Sequence, residues 1–212
     1  MKKWADILAQ ANVANDRTQT SVPWCRAENG WPRRRKSAID PLRAQIETDA
    51  QDSKQRDQDM SKEEDNKAIV GRWFTHFWGK TVNLGIVDEL AAPDMLLKYS
   101  LHEPRRGRDD IKAFMTDFRA AFPDLNFWGT ADLIAEGDYV VGQWEGGGTH
   151  KGPAFDDFLM GGLPPATGRK MHFTGTTVLK LINGEIVEEI GLDDGVTALI
   201  QLGFILHPSM PS

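Results

Sequence analysis

Apolar positions recur at helical spacing from the sixties onward. Ile69, Val70, Trp73, Phe74 and Phe77 share one face, and Gly79 would end the run. Ser61 followed by Glu64 has the form of a capping box that would open this helix. A shorter helix is predicted over 83–90, closed by Pro93, and a strand over 95–100. Asp109 starts a second long helix, with Ile111, Phe114, Met115, Phe118, Ala121 and Phe122 on one stripe and Pro123 as its stop. Beyond it the pattern becomes alternating. Segments 127–136, 139–150, 171–182 and 185–193 read as strands, separated by Gly137-Asp138 and Asn183-Gly184, and 195–202 reads as a last helix. Helices followed by antiparallel strands make an α+β fold, not a doubly wound sheet.

The first 59 residues read differently. Trp4, Trp24 and Trp31 are their only large aromatics, Pro23, Pro32 and Pro41 interrupt them, and 49–59 is almost wholly polar. The expected organisation is an extension over 1–59, disordered or docked on a partner, and one domain over 60–212; Met60 would itself make an ordinary domain start. Charge follows the same division. The extension holds 11 Lys and Arg against 9 Asp and Glu, and the domain 14 against 22, within a net −6 over 212 residues. An acidic domain argues against nucleic acid and anionic membranes as partners. No apolar run is long enough to span a bilayer and the start lacks a signal-peptide core, so a cytoplasmic location is expected. Cys25 alone builds neither a disulfide framework nor a thiolate metal site. No histidine spacing suggests a metal, and Gly146-Gly147-Gly148 opens no helix, so no cofactor is expected.

A two-residue turn at Asn183-Gly184 sets Ile182 opposite Glu185. Carried along both strands without interruption, this register puts Phe173, Gly175, Thr177, Leu179 and Leu181 on one face with Ile186, Glu188, Ile190, Leu192 and Asp194. That face is the apolar one. Asp194 would stand at its end beside Phe173, where lost hydration raises a carboxyl pKa and suits a general base. Asp194 is equally placed to cap the helix that follows. His150 ends a strand where a ligand can approach, or is a satisfied loop histidine. His102, near Arg105, Arg106 and Arg108, could hold an anionic group or lie in a solvated turn. Segment 151–168 carries Phe155, Phe158, Leu159, Met160 and Leu163 between glycine and proline hinges, which suits a lid or a dimer contact.

Six blocks in order resemble the SnoaL-like polyketide cyclase (ester cyclase) family of the nuclear-transport-factor-2-like superfamily: NKAIVGRWFTHFW, VDELAAPD, GRDDIKAFMTDFRAAFPDL, DLIAEGDYVVGQWEGGGTHKG, TGRKMHFTGTTVLKLINGEIVEE and DDGVTALIQLG. The resemblance implies a cone-shaped curved antiparallel sheet around helices, enclosing an apolar pocket. It implies cofactor-free, aldol-type ring closure or isomerisation of a hydrophobic carbonyl substrate, and homodimerisation through the convex sheet face. Counting back from Gln201-Leu202-Gly203, Asp194 takes the position of the family's acid/base aspartate, with His150 a second catalytic candidate. Tyr99, Trp144, Phe173, Ile190, Phe158 and Trp73 are the expected substrate-binding positions. Ile190 stands where family members often carry tryptophan, and 95–99 stands where they often carry an Asp-His pair. A non-catalytic module that binds a small hydrophobic ligand or dimerises is the alternative.

Overall fold

The computed structural model describes residues 39–206, which fall in two units, 1–45 and 46–212. Of the first unit the described residues are the opening turns of helix α1; the readings made for 1–38 lie outside the described residues. Helix α1 (Ile39–Trp73) runs through Met60 and Ser61 without a break, so Ser61 is not an N-cap. Every residue from 43 to 62 is exposed and burial begins at Glu63. There the helix is tied to the Gly137-Asp138 turn. Lys62 pairs with Asp138 at 2.5 Å, Glu63 accepts from the Gly137 amide at 3.1 Å, and buried Asn66 donates to the Gly137 carbonyl at 3.0 Å.

The helix ends in a π-helical turn, Phe74–Trp78, closed by the Gly79 amide on the Phe74 carbonyl at 2.8 Å. The wider turn swings Trp78 inward beside Phe77, off the stripe that the helical period alone describes. Helix α2 (Gly85–Leu90) leads into strand β1 (Ala91–Lys98). Pro93 does not close the helix as expected but lies inside β1, exposed, where the pairing register shifts. β2 (Arg105–Arg106) precedes helix α3 (Arg108–Ala121), whose predicted apolar stripe is buried. The single strand expected over 127–136 is two, β3 (Asn126–Gly129) and β4 (Ile134–Glu136), both paired with β5 (Tyr139–Thr149). Segment 151–168 is not a bare loop: it contains the hairpin β6 (Phe155–Phe158) and β7 (Gly161–Leu163). β8 (Lys170–Ile182), β9 (Glu185–Asp193) and helix α4 (Gly195–Leu202) complete the chain as predicted.

The main sheet runs β2-β1-β9-β8-β5-β3, with β4 also on β5; all pairs are antiparallel except β1–β9. It curves around α3 and the end of α1, in keeping with the α+β expectation. One register differs from the simple hairpin. Ile182 faces Glu185 and Leu181 faces Ile186, but Lys180 faces Glu188, so Val187 is an extra residue, a β-bulge. A one-residue slip turns every later side chain to the opposite face. Glu189, Gly191 and Asp193 therefore point inward, while Glu188, Ile190 and Leu192 point out. The glycines explain why. The Tyr99 ring lies against Gly191 and the Trp144 ring against Gly175, where any Cβ would collide with them. Ile190 or Leu192 turned inward would leave no room for those rings.

Candidate active site

The inner face of the curved sheet and the helices line an apolar pocket with about 370 Å³ of space between atoms, part of it continuous with solvent. The π-turn supplies Phe74 and Trp78, and the segment after β1 supplies Tyr99, Leu101 and His102. Phe118 comes from α3, and Phe127, Trp144, Phe173 and Asp193 from the sheet. Trp78, Tyr99, Phe127, Trp144 and Phe173 meet edge to face at 5.1–6.1 Å between ring centres, the packing that ring quadrupoles favour. Among the described residues of this wall, Asp193 brings a carboxylate and His102 an imidazole.

Asp193 closes one side. Its carboxylate accepts from the Ser100 hydroxyl. Burial pushes its pKa up, against the opposing pull of Ser100, of His102 nearby and of the Gly195 amide, and the net shift is upward. Asp194 lies outside the cavity. It is exposed and its side chain accepts from the Thr197 amide at 3.3 Å, capping α4. The bulge at Val187 is the reason that the inward carboxylate is the residue before the one expected.

His102 is buried in a ring of aromatics, with Phe114, Phe118 and Phe158 about its ring at 5.0–5.2 Å. It occupies neither a solvated turn nor an exposed anion site. Nδ1 faces two oxygens of Asp157, the carbonyl at 3.3 Å and Oδ2 at 3.4 Å. Asp157 also pairs with Arg105. Burial alone would raise the Asp157 carboxyl, but His102 and Arg105 hold it below the usual range.

Behind Tyr99 sits a second polar cluster. Glu189 is fully buried and accepts three hydrogen bonds: from Trp73 Nε1 at 2.7 Å, Trp78 Nε1 at 2.9 Å and the Tyr99 hydroxyl at 2.5 Å. Trp144 Nε1 donates to Thr177 Oγ1 at 2.8 Å, and that hydroxyl meets Tyr99 at 2.9 Å. Burial pushes Glu189 up to about 7 although its three donors pull the other way. Burial, then the Glu189 charge, hold the Tyr99 phenol well above its usual value.

Three expected binding residues, Tyr99, Trp144 and Phe173, thus line the cavity. Phe158 does not, but stacks on His102. Trp73 lies deeper, stacked on Phe77 at 4.4 Å and bound to Glu189. Ile190 is on the outer face, between Lys98 and Val178. His150 is fully buried away from the cavity with both nitrogens engaged, by Pro153 O at 2.8 Å and Thr167 Oγ1 at 3.0 Å, and so ties the two ends of segment 151–168 together. Sequence reasoning missed Asp193, Glu189 and the burial of His102. The signal for the first two was present in Gly175 and Gly191, since glycine inside a strand marks a bulge or a close approach.

No curated protein sequence matches the chain. Solved structures do. A protein from Jannaschia sp. CCS1 assigned as a SnoaL-like polyketide cyclase aligns with 70% of this chain and 95% of its own, at 22% identity and a TM-score of 0.56. One from Acidithiobacillus ferrooxidans assigned as a polyketide cyclase covers 65% and 94%, at 26% identity and a TM-score of 0.53. AclR from Streptomyces galilaeus, assigned as a hydroxylase, covers 71% and 87%, at 24% and 0.53. The family model for SnoaL-like polyketide cyclases matches residues 68–202, the whole of the sheet with α2, α3, α4 and the end of α1, and the chain belongs to that family.

Proposed function

We propose that the chain is a cofactor-independent acid/base enzyme that enolises a small hydrophobic carbonyl compound, leading to aldol-type ring closure or isomerisation. One observation carries this reading: a partly desolvated carboxylate, Asp193, stands at the wall of a cavity otherwise lined almost wholly by aromatic carbon. Such a carboxylate is a stronger base than one in water and can take a proton from the carbon next to a carbonyl. The aromatic walls hold a flat apolar substrate, and Ser100 fixes the carboxylate's orientation. The wider family, together with relatives assigned as cyclases, supports this class of chemistry.

Deuterium uptake at the α-carbon of 2-tetralone in D2O tests the reading. The wild-type protein accelerates uptake, Asp193→Asn lowers the rate about 10²-fold or more, and Asp194→Asn leaves it unchanged. Wild-type protein that binds the ketone without exchanging its proton would make this a binding module instead.

A second copy of the chain is the proposed partner. On the outer face Ile190, Val178, Val141 and Ile134 stand side by side across four strands, and Val178 and Ile134 are 41% and 70% exposed. A row of this kind favours covering by a matching face.

A further inference from the structure

We propose that His102 is a second catalytic residue of this cavity and that Asp157, carried on the β6–β7 hairpin, is its positioning residue, so that the hairpin completes the acid/base pair when it is seated. The proposal rests on the acid/base reading above.

The hairpin lies behind the cavity wall. The Leu159 amide donates to the Leu101 carbonyl at 3.1 Å, His102 bridges to Phe158, and the rings of these last two stack at 5.1 Å. Leu101 and His102 both line the cavity. Asp157 turns two acceptors toward Nδ1, the carbonyl at 3.3 Å and Oδ2 at 3.4 Å, and Oδ2 is buried without a hydrogen bond. Arg105 holds the opposite oxygen. An atom facing only acceptors carries the proton, so Nδ1 is the protonated nitrogen. Nε2 makes no hydrogen bond among the described residues and is left for the cavity, where Asp193 is the other titratable group.

The step balances. Ionised Asp193 takes the α-proton, the C–H electron pair becomes the new C=C bond, and the carbonyl π pair moves to oxygen. His102, entering as imidazolium, delivers its Nε2 proton to that oxygen and leaves as the neutral ring with its proton on Nδ1 against Asp157. Enol and protonated Asp193 result.

Two readouts on the full-length protein test this. In the 2-tetralone assay, His102→Gln lowers exchange about 10²-fold and Asp157→Ala about tenfold or more. In protein labelled with 15N-histidine, the neutral form of the His102 ring is the Nδ1–H tautomer. Asp157→Ala, which leaves Nδ1 only the backbone carbonyl at 3.3 Å, yields a larger share of the Nε2–H tautomer and faster hydrogen exchange of the Leu159 amide, whereas Asp157→Asn, which keeps a side-chain acceptor oxygen, retains the single tautomer. An Nε2–H tautomer in the wild type overturns the proposal without any variant having to fold. So does unchanged tautomer and amide protection in Asp157→Ala. Exchange lost in Asp193→Asn but kept in folded His102→Gln defeats this inference alone. Absence of exchange in the wild type defeats the proposed function, and the catalytic role of His102 with it.

Discussion

Two adjacent pairs of like residues decide the chemistry of this cavity, Glu188-Glu189 and Asp193-Asp194. In each pair the composition is identical and only the direction of the side chain differs. Glu189 ends among three N–H and O–H donors with no cation beside it among the described residues, whereas Glu188 faces Lys180 on the outer side. Its burial has a measurable consequence. The folded-state pKa is about 7 against an ordinary 4.5, so between these values the folded protein holds a proton that the unfolded chain has released. Stability from this group is complete below about pH 4.5 and is lost as pH rises through 7, a change of about 3 kcal/mol at most. Urea titrations from pH 5 to 8 should show this fall, and Glu189→Gln should flatten it. An unchanged slope in that variant would place the titrating group elsewhere. Asp193 makes a separate prediction. A base works only when ionised, so deuterium exchange should fall on acidification through a midpoint above the ordinary carboxylate range, in the direction of its shift. A midpoint at or below that range would count against Asp193 as the base.

At the scale of elements, the periodic patterns of α3, β5, β8 and α4 were legible because each buries one continuous stripe or alternating face. Three local irregularities were not. The π-turn at Phe74–Trp78, the bulge at Val187 and the β6–β7 hairpin each interrupt the period of the chain around them. The bulge exists because the Tyr99 and Trp144 rings need the glycine faces of β9 and β8. Gly191→Ala therefore forces the Tyr99 ring away from β9 and lengthens its bond to Glu189. We expect a loss of about 2 kcal/mol, seen as a melting temperature lower by about 4–8 °C, with a smaller change for alanine at outward-facing Leu192. Equal effects at the two positions would refute the assigned register.

For the molecule as a whole, the charge and the surface row set the expectation for assembly. Few charges interrupt the line Ile190–Val178–Val141–Ile134 across the outer sheet. Light scattering should give a mass near twice 23.7 kDa, and Val178→Asp should reduce it to the monomer while leaving the cavity side intact. A monomeric wild type at the same concentration would remove the second copy as partner. Among the described residues no helix is long and apolar enough to cross a membrane. Helix α1 runs through residue 60: its exposed turns are polar but good helix formers, and the polar composition that suggested an extension is equally suited to a solvated helix.

From residues alone, periodicity and turn chemistry establish the order of helices and strands, the α+β class and the apolar inner face, because those features depend on neighbours three, four or two positions away. Which of two consecutive carboxylates reaches the cavity, and that His102 is enclosed rather than solvated, depend on contacts across the fold. The rings of Tyr99 and Trp144 set the register of β9, and a hairpin more than fifty residues further along brings Asp157 to His102. Packing of that kind has no period in the chain, and so it emerges only when the sheet has closed around its core.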